Sequence, residues 1–272
     1  MWIPKASIRW ALLAGVMPAL VFFSAPLVIT YDSAHYLQYL PILRGDAPVE
    51  TWDVGRGAGF PIWLLVVVTF LGPGPTAALV ASSACACVVA AAIYVIVNHA
   101  LGTSSAQRWV PWVAACTIFD PTSFGYFHTF LTEYLAATFF TVGVAVVAWV
   151  YQRADLKPRQ RFVVDIAIGL LTVAAYHVKQ PYVAASLLPL LVAMSLERNA
   201  SAILKWGQSL LTSIVLLAAS IVVWNAFLPT TGKAGNSKRM TGALVANNLA
   251  ATCIRGATGV FRDTDSNIDV WR

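Results

Sequence analysis

Charged residues are scarce in this chain of 272 residues: they make up 11% of it, while hydrophobic residues make up 58%. A soluble globular domain carries about 25% charged residues and about 45–50% apolar ones. The composition therefore excludes a water-soluble globule and an intrinsically disordered chain. It predicts an integral membrane protein with several membrane-spanning helices.

Cysteine is also rare, with four residues in the whole chain. Cys85 and Cys87 form a C-x-C pair, but no second pair follows at the spacing of a zinc site. Cysteines in apolar segments mostly pack as small hydrophobic residues. The sequence thus predicts neither a disulfide scaffold nor a zinc site. The net charge of +6 does not indicate a nucleic-acid partner, because the placement of the charges matters more than their sum.

Long stretches without charged residues divide the chain into predicted membrane spans, each of which needs about 20 apolar residues. We predict seven spans, at residues 10–31, 76–98, 108–121, 133–153, 162–177, 181–196 and 206–229. The first is interpreted as an uncleaved signal anchor, with a cleaved signal peptide as the alternative. Residues 1–229 would form an all-α transmembrane bundle, and residues 230–272 an external polar tail.

The apolar segment 59–71 decides the orientation of the predicted bundle. It is shorter than a span, and a strong turn signal, Gly72-Pro73-Gly74-Pro75, follows it. If it does not span, the basic loop 152–161 faces the cytoplasm, as the positive-inside rule requires. We therefore expect 59–71 to be a helical juxtamembrane element within a first external loop, residues 31–75.

Acidic and histidine residues gather at the predicted outer face, where ionisable groups near the membrane tend to be functional. Asp32 follows the first span, and helical spacing would place His35 and Tyr36 on its face. Asp32 as a helix cap stays an alternative to Asp32 as a catalytic group. Glu133 begins the fourth span, where the helix dipole alone would favour it. Lys179, in a short external turn, either snorkels or binds a lipid phosphate.

Four motifs follow one another in the chain and carry a family resemblance. They are Tyr31-Asp32-Ser33-Ala34-His35-Tyr36-Leu37, Arg56-Gly57-Ala58-Gly59-Phe60-Pro61-Ile62-Trp63-Leu64, Leu131-Thr132-Glu133-Tyr134-Leu135 and Lys179-Gln180-Pro181. In this order the chain resembles the polytopic glycosyltransferases of the GT-C fold, which use lipid-phosphate sugar donors. That class includes the protein O-mannosyltransferases and the aminoarabinose transferases of lipid A.

The resemblance implies that Asp32 is the catalytic carboxylate. The further candidate site residues are His35 as a catalytic helper, Arg56 and Lys179 as ligands of the donor phosphate, and Tyr36, His128 and Glu133 as substrate contacts. A divalent metal ion held by Asp32 and a histidine stays an open alternative, although hard metals prefer several oxygen ligands and the sequence shows no tight acidic cluster.

The resemblance also implies partners and a location. The partners would be membrane lipid, a polyprenyl-phosphate-linked sugar donor and an acceptor of unknown kind, with no nucleic acid. The site would face outward from a bacterial inner membrane. Members usually have more spans and a soluble C-terminal domain, so a truncated relative or a non-catalytic scaffold is one alternative. A lipid or solute transporter is the other.

Overall fold

The computed structural model describes residues 36–37, 39–48, 57–101, 109–110, 112–113, 116, 132–153 and 156–227. Regular secondary structure in these ranges is helical, and no strand occurs in them. This confirms the predicted all-α class for the described residues. The helices are α1 (Leu40–Arg44), α2 (Gly59–Leu71), α3 (Pro75–Leu101), α4 (Thr132–Tyr151), α5 (Pro158–Val178), α6 (Tyr182–Leu196) and α7 (Ala200–Phe227).

Four of these helices, α3, α4, α5 and α7, are long and apolar enough to cross a membrane. This is consistent with the predicted membrane protein, and each of the four helices overlaps a predicted span. The predicted first span, 10–31, lies outside the described residues, and only isolated residues of the third, 108–121, are described.

Two apolar helices are shorter than a span. Helix α2 has 13 residues and α6 has 15, so at a rise of 1.5 Å per residue they extend about 20 Å and 22 Å. The hydrocarbon core of a bilayer is about 30 Å thick. Helix α2 thus has the length predicted for a juxtamembrane element. Helix α6, which also contains Pro189, is shorter than the predicted sixth span needs for a full crossing.

Local chemistry explains where the helices begin and end. Helix α2 stops at Gly72, whose φ of 81° disfavours any residue with a Cβ. Helix α5 begins with Pro158 at its first turn, where the missing N–H costs no hydrogen bond. The Gln160 side chain accepts a bond from the Lys157 backbone N–H at 3.1 Å and completes this start.

The helices pack around two buried clusters at opposite ends of the bundle. One contains Phe60, Leu64 and Tyr134, and the other contains Val150, Leu190 and Trp206. Helices α3 and α4 pack along each other. Their C-terminal ends lie together, since His99 Nδ1 is 2.7 Å from Gln152 Oε1. This parallel direction agrees with a topology that places one span between them.

Candidate functional site

The candidate site lies at the end of the bundle where α2 and α4 begin and α5 ends. Of the seven residues predicted for it, Tyr36, Glu133 and Lys179 are described. The other four, Asp32, His35, Arg56 and His128, lie outside the described residues.

An ion pair between Lys179 and Glu133 joins the first turn of α4 to the turn after α5. Lys179 Nζ donates to Glu133 Oε1, and the Thr132 hydroxyl donates to Glu133 Oε2 at 3.0 Å. Both carboxylate oxygens are therefore bonded. The Lys179 side chain is 36% exposed and that of Glu133 is 24% exposed. Because an ammonium group has three donors, Lys179 can hold Glu133 and still bond an incoming acceptor.

The turn between α5 and α6 fixes the position of Lys179. Its backbone N–H still donates to the Ala175 carbonyl at 2.9 Å, while its own φ of −155° and ψ of 106° leave the helix. Its carbonyl accepts a bond from the Tyr182 N–H at 3.0 Å. Helix α6 begins directly after Pro181, so the lysine lies in a tight turn bonded on both sides.

Two glycines pack the start of α2 against this turn. A Cβ on Gly57 would overlap the His177 carbonyl oxygen, and a Cβ on Gly59 would stand 2.7 Å from Val178 N. Only residues without a side chain allow the two backbones to approach this closely. Gly57 directly follows Arg56 in the chain. The second and fourth motifs, which lie more than a hundred residues apart, are therefore neighbours in the fold.

A row of contacting aromatic rings, Tyr36, Phe60 and Tyr134, lies next to the site. Tyr36 meets Phe60 edge-on at 4.9 Å between centroids, and Phe60 meets Tyr134 at 6.0 Å. Trp63 Nε1 donates to the Tyr134 hydroxyl at 3.0 Å. Phe60 and Tyr134 are fully buried. The Tyr36 ring, predicted to contact substrate, thus packs on Phe60 of α2. Phe60 in turn contacts Tyr134, the residue next to Glu133.

Helix α7 also contacts the site, through His177. A ring nitrogen of His177, Nε2, lies 3.2 Å from the Ser220 hydroxyl, and the ring meets Trp224 edge-on at 6.2 Å. These contacts tie the last turn of α5 to the last turns of α7. His177 therefore holds the backbone that the two glycines touch.

Sequence reasoning named Glu133 and Lys179 separately and missed that they pair. The sequence did contain a signal for this ion pair, because Glu133 and Lys179 have opposite charges and both lie at span ends on the predicted outer face. The contact of Gly57 and Gly59 with His177 was also missed, and spacing along the chain carries no signal for it.

The described residues offer a partly exposed cation, Lys179, paired with the Glu133 carboxylate. No group of three or more His, Cys, Asp or Glu residues within the described ranges could hold a metal ion. Asp32, the predicted metal ligand, is outside those ranges. Comparison with family models, with curated proteins and with solved structures finds no match to this chain.

Proposed function

We propose that the chain is a membrane glycosyltransferase of the GT-C type with about seven spans. It would transfer a sugar from a polyprenyl-phosphate donor to an acceptor on the non-cytoplasmic face. The observation that carries this proposal is the Lys179–Glu133 ion pair, because the residues just before Lys179, His177 and Val178, contact the glycines that follow Arg56. Three motifs of the resemblance supply this arrangement from distant parts of the sequence, which supports a common site.

Lys179 and Arg56 would bind the donor phosphate. When the glycosidic bond to the phosphate breaks, negative charge develops on the leaving phosphate oxygen. Cationic donors aimed at that position stabilise the transition state. Glu133 would orient the Lys179 ammonium, and the two remaining N–H donors would point to the phosphate. The glycine contacts would keep Arg56 close to the same group.

Asp32 would act as the general base, with His35 beside it as a helper. The acceptor hydroxyl oxygen attacks the anomeric carbon and forms the new C–O bond. The bond between that carbon and the phosphate oxygen breaks, and its electron pair leaves with the polyprenyl phosphate. The hydroxyl proton goes to the Asp32 carboxylate. Base catalysis of this kind contributes about 10²–10⁴-fold to the rate.

The transporter alternative lacks a supporting observation in the described spans. Substrate sites of transporters lie near the middle of the membrane. In α3, α4, α5 and α7, the Asp, Glu, Lys and Arg residues lie within the first turns of their helices, and the described mid-span segments contain none. The charge that could bind a ligand is therefore at the bundle ends, where a lipid-linked donor would present its phosphate.

A binding experiment with two matched probes tests the proposed phosphate site. Polyprenyl phosphate and the uncharged polyprenol differ only in the phosphate. A hydrogen bond to a charged group is worth about 1.5–3 kcal/mol, so Lys179→Ala should weaken polyprenyl phosphate binding by about 10-fold to 150-fold. Polyprenol binding should stay unchanged, and Lys179→Arg should keep most of the phosphate affinity.

Two further variants separate the phosphate role from stability. Lys179→Gln combined with Glu133→Gln removes both charges without leaving an unpaired carboxylate, and should also lose phosphate affinity. Lys157→Ala, an exposed cation at the opposite end of the bundle, should not. Equal affinity for polyprenyl phosphate in the wild-type, Lys179→Ala and double-variant proteins would reject Lys179 as a ligand.

A further inference from the structure

A polar cavity lies at the end of the bundle opposite the candidate site. It has a volume of about 920 Å³ and opens between the end of α4, the start of α5 and the start of α7. Three cations line it, Arg153, Arg161 and Lys205, together with the aromatic rings of Tyr151 and Trp206. No part of the proposed glycosyl transfer uses this cavity.

Arg161 and Asp165 form the floor of the cavity, and Arg161 is held there by several contacts. Its Nε donates to Asp165 Oδ1 at 3.0 Å, and its Nη2 donates to the Ser209 hydroxyl at 2.5 Å. Its guanidinium carbon also lies 4.3 Å from the centroid of the Trp206 ring. Ser209 in turn donates to Asp165 at 2.6 Å. The buried Asp165 is thus neutralised, and α5 is fixed to α7 on this side.

Arg153 and Lys205 contribute the charge that this network does not neutralise. Neither has a carboxylate partner within the described residues, and Arg153 lies 5.0 Å above the Trp149 ring. Glu197 also lines the cavity, where it accepts a long hydrogen bond from Trp206 Nε1 at 3.4 Å. Among the described residues, two unpaired cations against one carboxylate give the cavity a net positive charge.

The rim of the cavity is apolar and exposed. Phe162 is 64% exposed and Tyr151 is 41% exposed, and both line the cavity. In a membrane protein, such rings at the end of a span lie where acyl chains meet headgroups. A ligand that suits this cavity has a phosphate for the cations and apolar chains for the rim.

We propose that this cavity binds the phosphate headgroup of an anionic phospholipid, held by Arg153 and Lys205 above the Arg161–Asp165 floor. Basic pockets between transmembrane helices bind lipid headgroups in this manner. A free phosphate compound shares the headgroup chemistry but has no chains for the apolar rim. The lipid would bridge α4 and α7 at this end of the bundle.

Native mass spectrometry of the full chain in an uncharged detergent tests the proposal with phosphatidylglycerol as the probe. One double variant, Arg153→Gln with Lys205→Gln, removes the two unpaired cations. A matched double variant, Arg159→Gln with Arg198→Gln, removes two exposed cations near the same end that do not line the cavity. Each cation that contacts the lipid headgroup should contribute about fivefold in affinity.

We expect the first double variant to bind phosphatidylglycerol about 25-fold more weakly, while the matched variant stays close to wild type. Arg153→Lys with Lys205→Arg should keep the affinity, which separates charge from folding. An equal loss in both Gln double variants, or equal binding of phosphatidylglycerol and phosphatidylcholine to wild type, would overturn the proposal. Glycerol 3-phosphate binding as tightly as phosphatidylglycerol would assign the cavity to a soluble phosphate and likewise overturn it.

Discussion

Replacing Gly57 by alanine should separate the loop after Arg56 from the Lys179 turn. The new Cβ would overlap the His177 carbonyl oxygen and stand 2.9 Å from the carbonyl carbon. Both atoms belong to backbone at the last turn of α5, where His177 is also held by Ser220. Neither side can therefore yield by a simple side-chain rotation, and the loop has to move.

The glycines of the chain form a graded series for this prediction. At Gly59 the Cβ would stand 2.7 Å from Val178 N, again a backbone atom, whereas at Gly169 the nearest atom is the end of the Leu216 side chain at 2.6 Å. A Cβ on Gly143, inside α4, meets nothing within 4 Å. Overpacking typically costs about 1–3 kcal/mol. Gly to Ala in an open helix position instead gains about 1 kcal/mol.

Thermal unfolding in detergent, followed by circular dichroism, measures the series. We expect Gly57→Ala and Gly59→Ala to unfold at clearly lower temperatures than wild type and Gly169→Ala to fall between them and wild type. Gly143→Ala should unfold at the same or a higher temperature. If Gly57→Ala is as stable as Gly143→Ala, the contact between the loop and the turn is not made, and the site assembled from them is wrong.

Two further predictions concern orientation and the aromatic support. In a variant whose four native cysteines are replaced by alanine, a cysteine at Ala47 should react with a membrane-impermeant reagent from outside and one at Pro158 should not; external labelling at Pro158 would reverse the topology. Tyr134→Phe leaves Trp63 Nε1 without its acceptor, so the free energy of unfolding should fall by about 1–3 kcal/mol. Chemical denaturation that shows no loss would remove this bond from the account.

The helices were largely predictable because the membrane imposes a simple pattern. Charge gaps placed the spans of α3, α4, α5 and α7 within a few residues of their observed bounds. The exception is the start of α7, which extends back from Trp206 to Ala200. The charge of Lys205 predicts that this span begins after it. A lysine inside a helix can, however, extend its apolar stem along the helix while its ammonium group reaches the membrane surface.

The sequence predicts candidate site residues, but it does not predict which of them touch. The outer-face rule placed Glu133 and Lys179 on one side of the membrane, but it says nothing about which span ends touch. That depends on packing, here on Gly57 and Gly59 against His177.

Transfer from a lipid-linked donor tests the central claim most directly. Membranes containing the wild-type chain would receive a polyprenyl-phosphate sugar labelled in the sugar, and the appearance of label in any acceptor product other than the donor lipid would be measured against membranes without the chain. We predict transfer by the wild type and a loss of at least about 10²-fold in Asp32→Asn, the lower limit for a general base, with equal membrane insertion of both proteins. Transfer that is absent in the wild type, or unchanged in Asp32→Asn, would contradict the account.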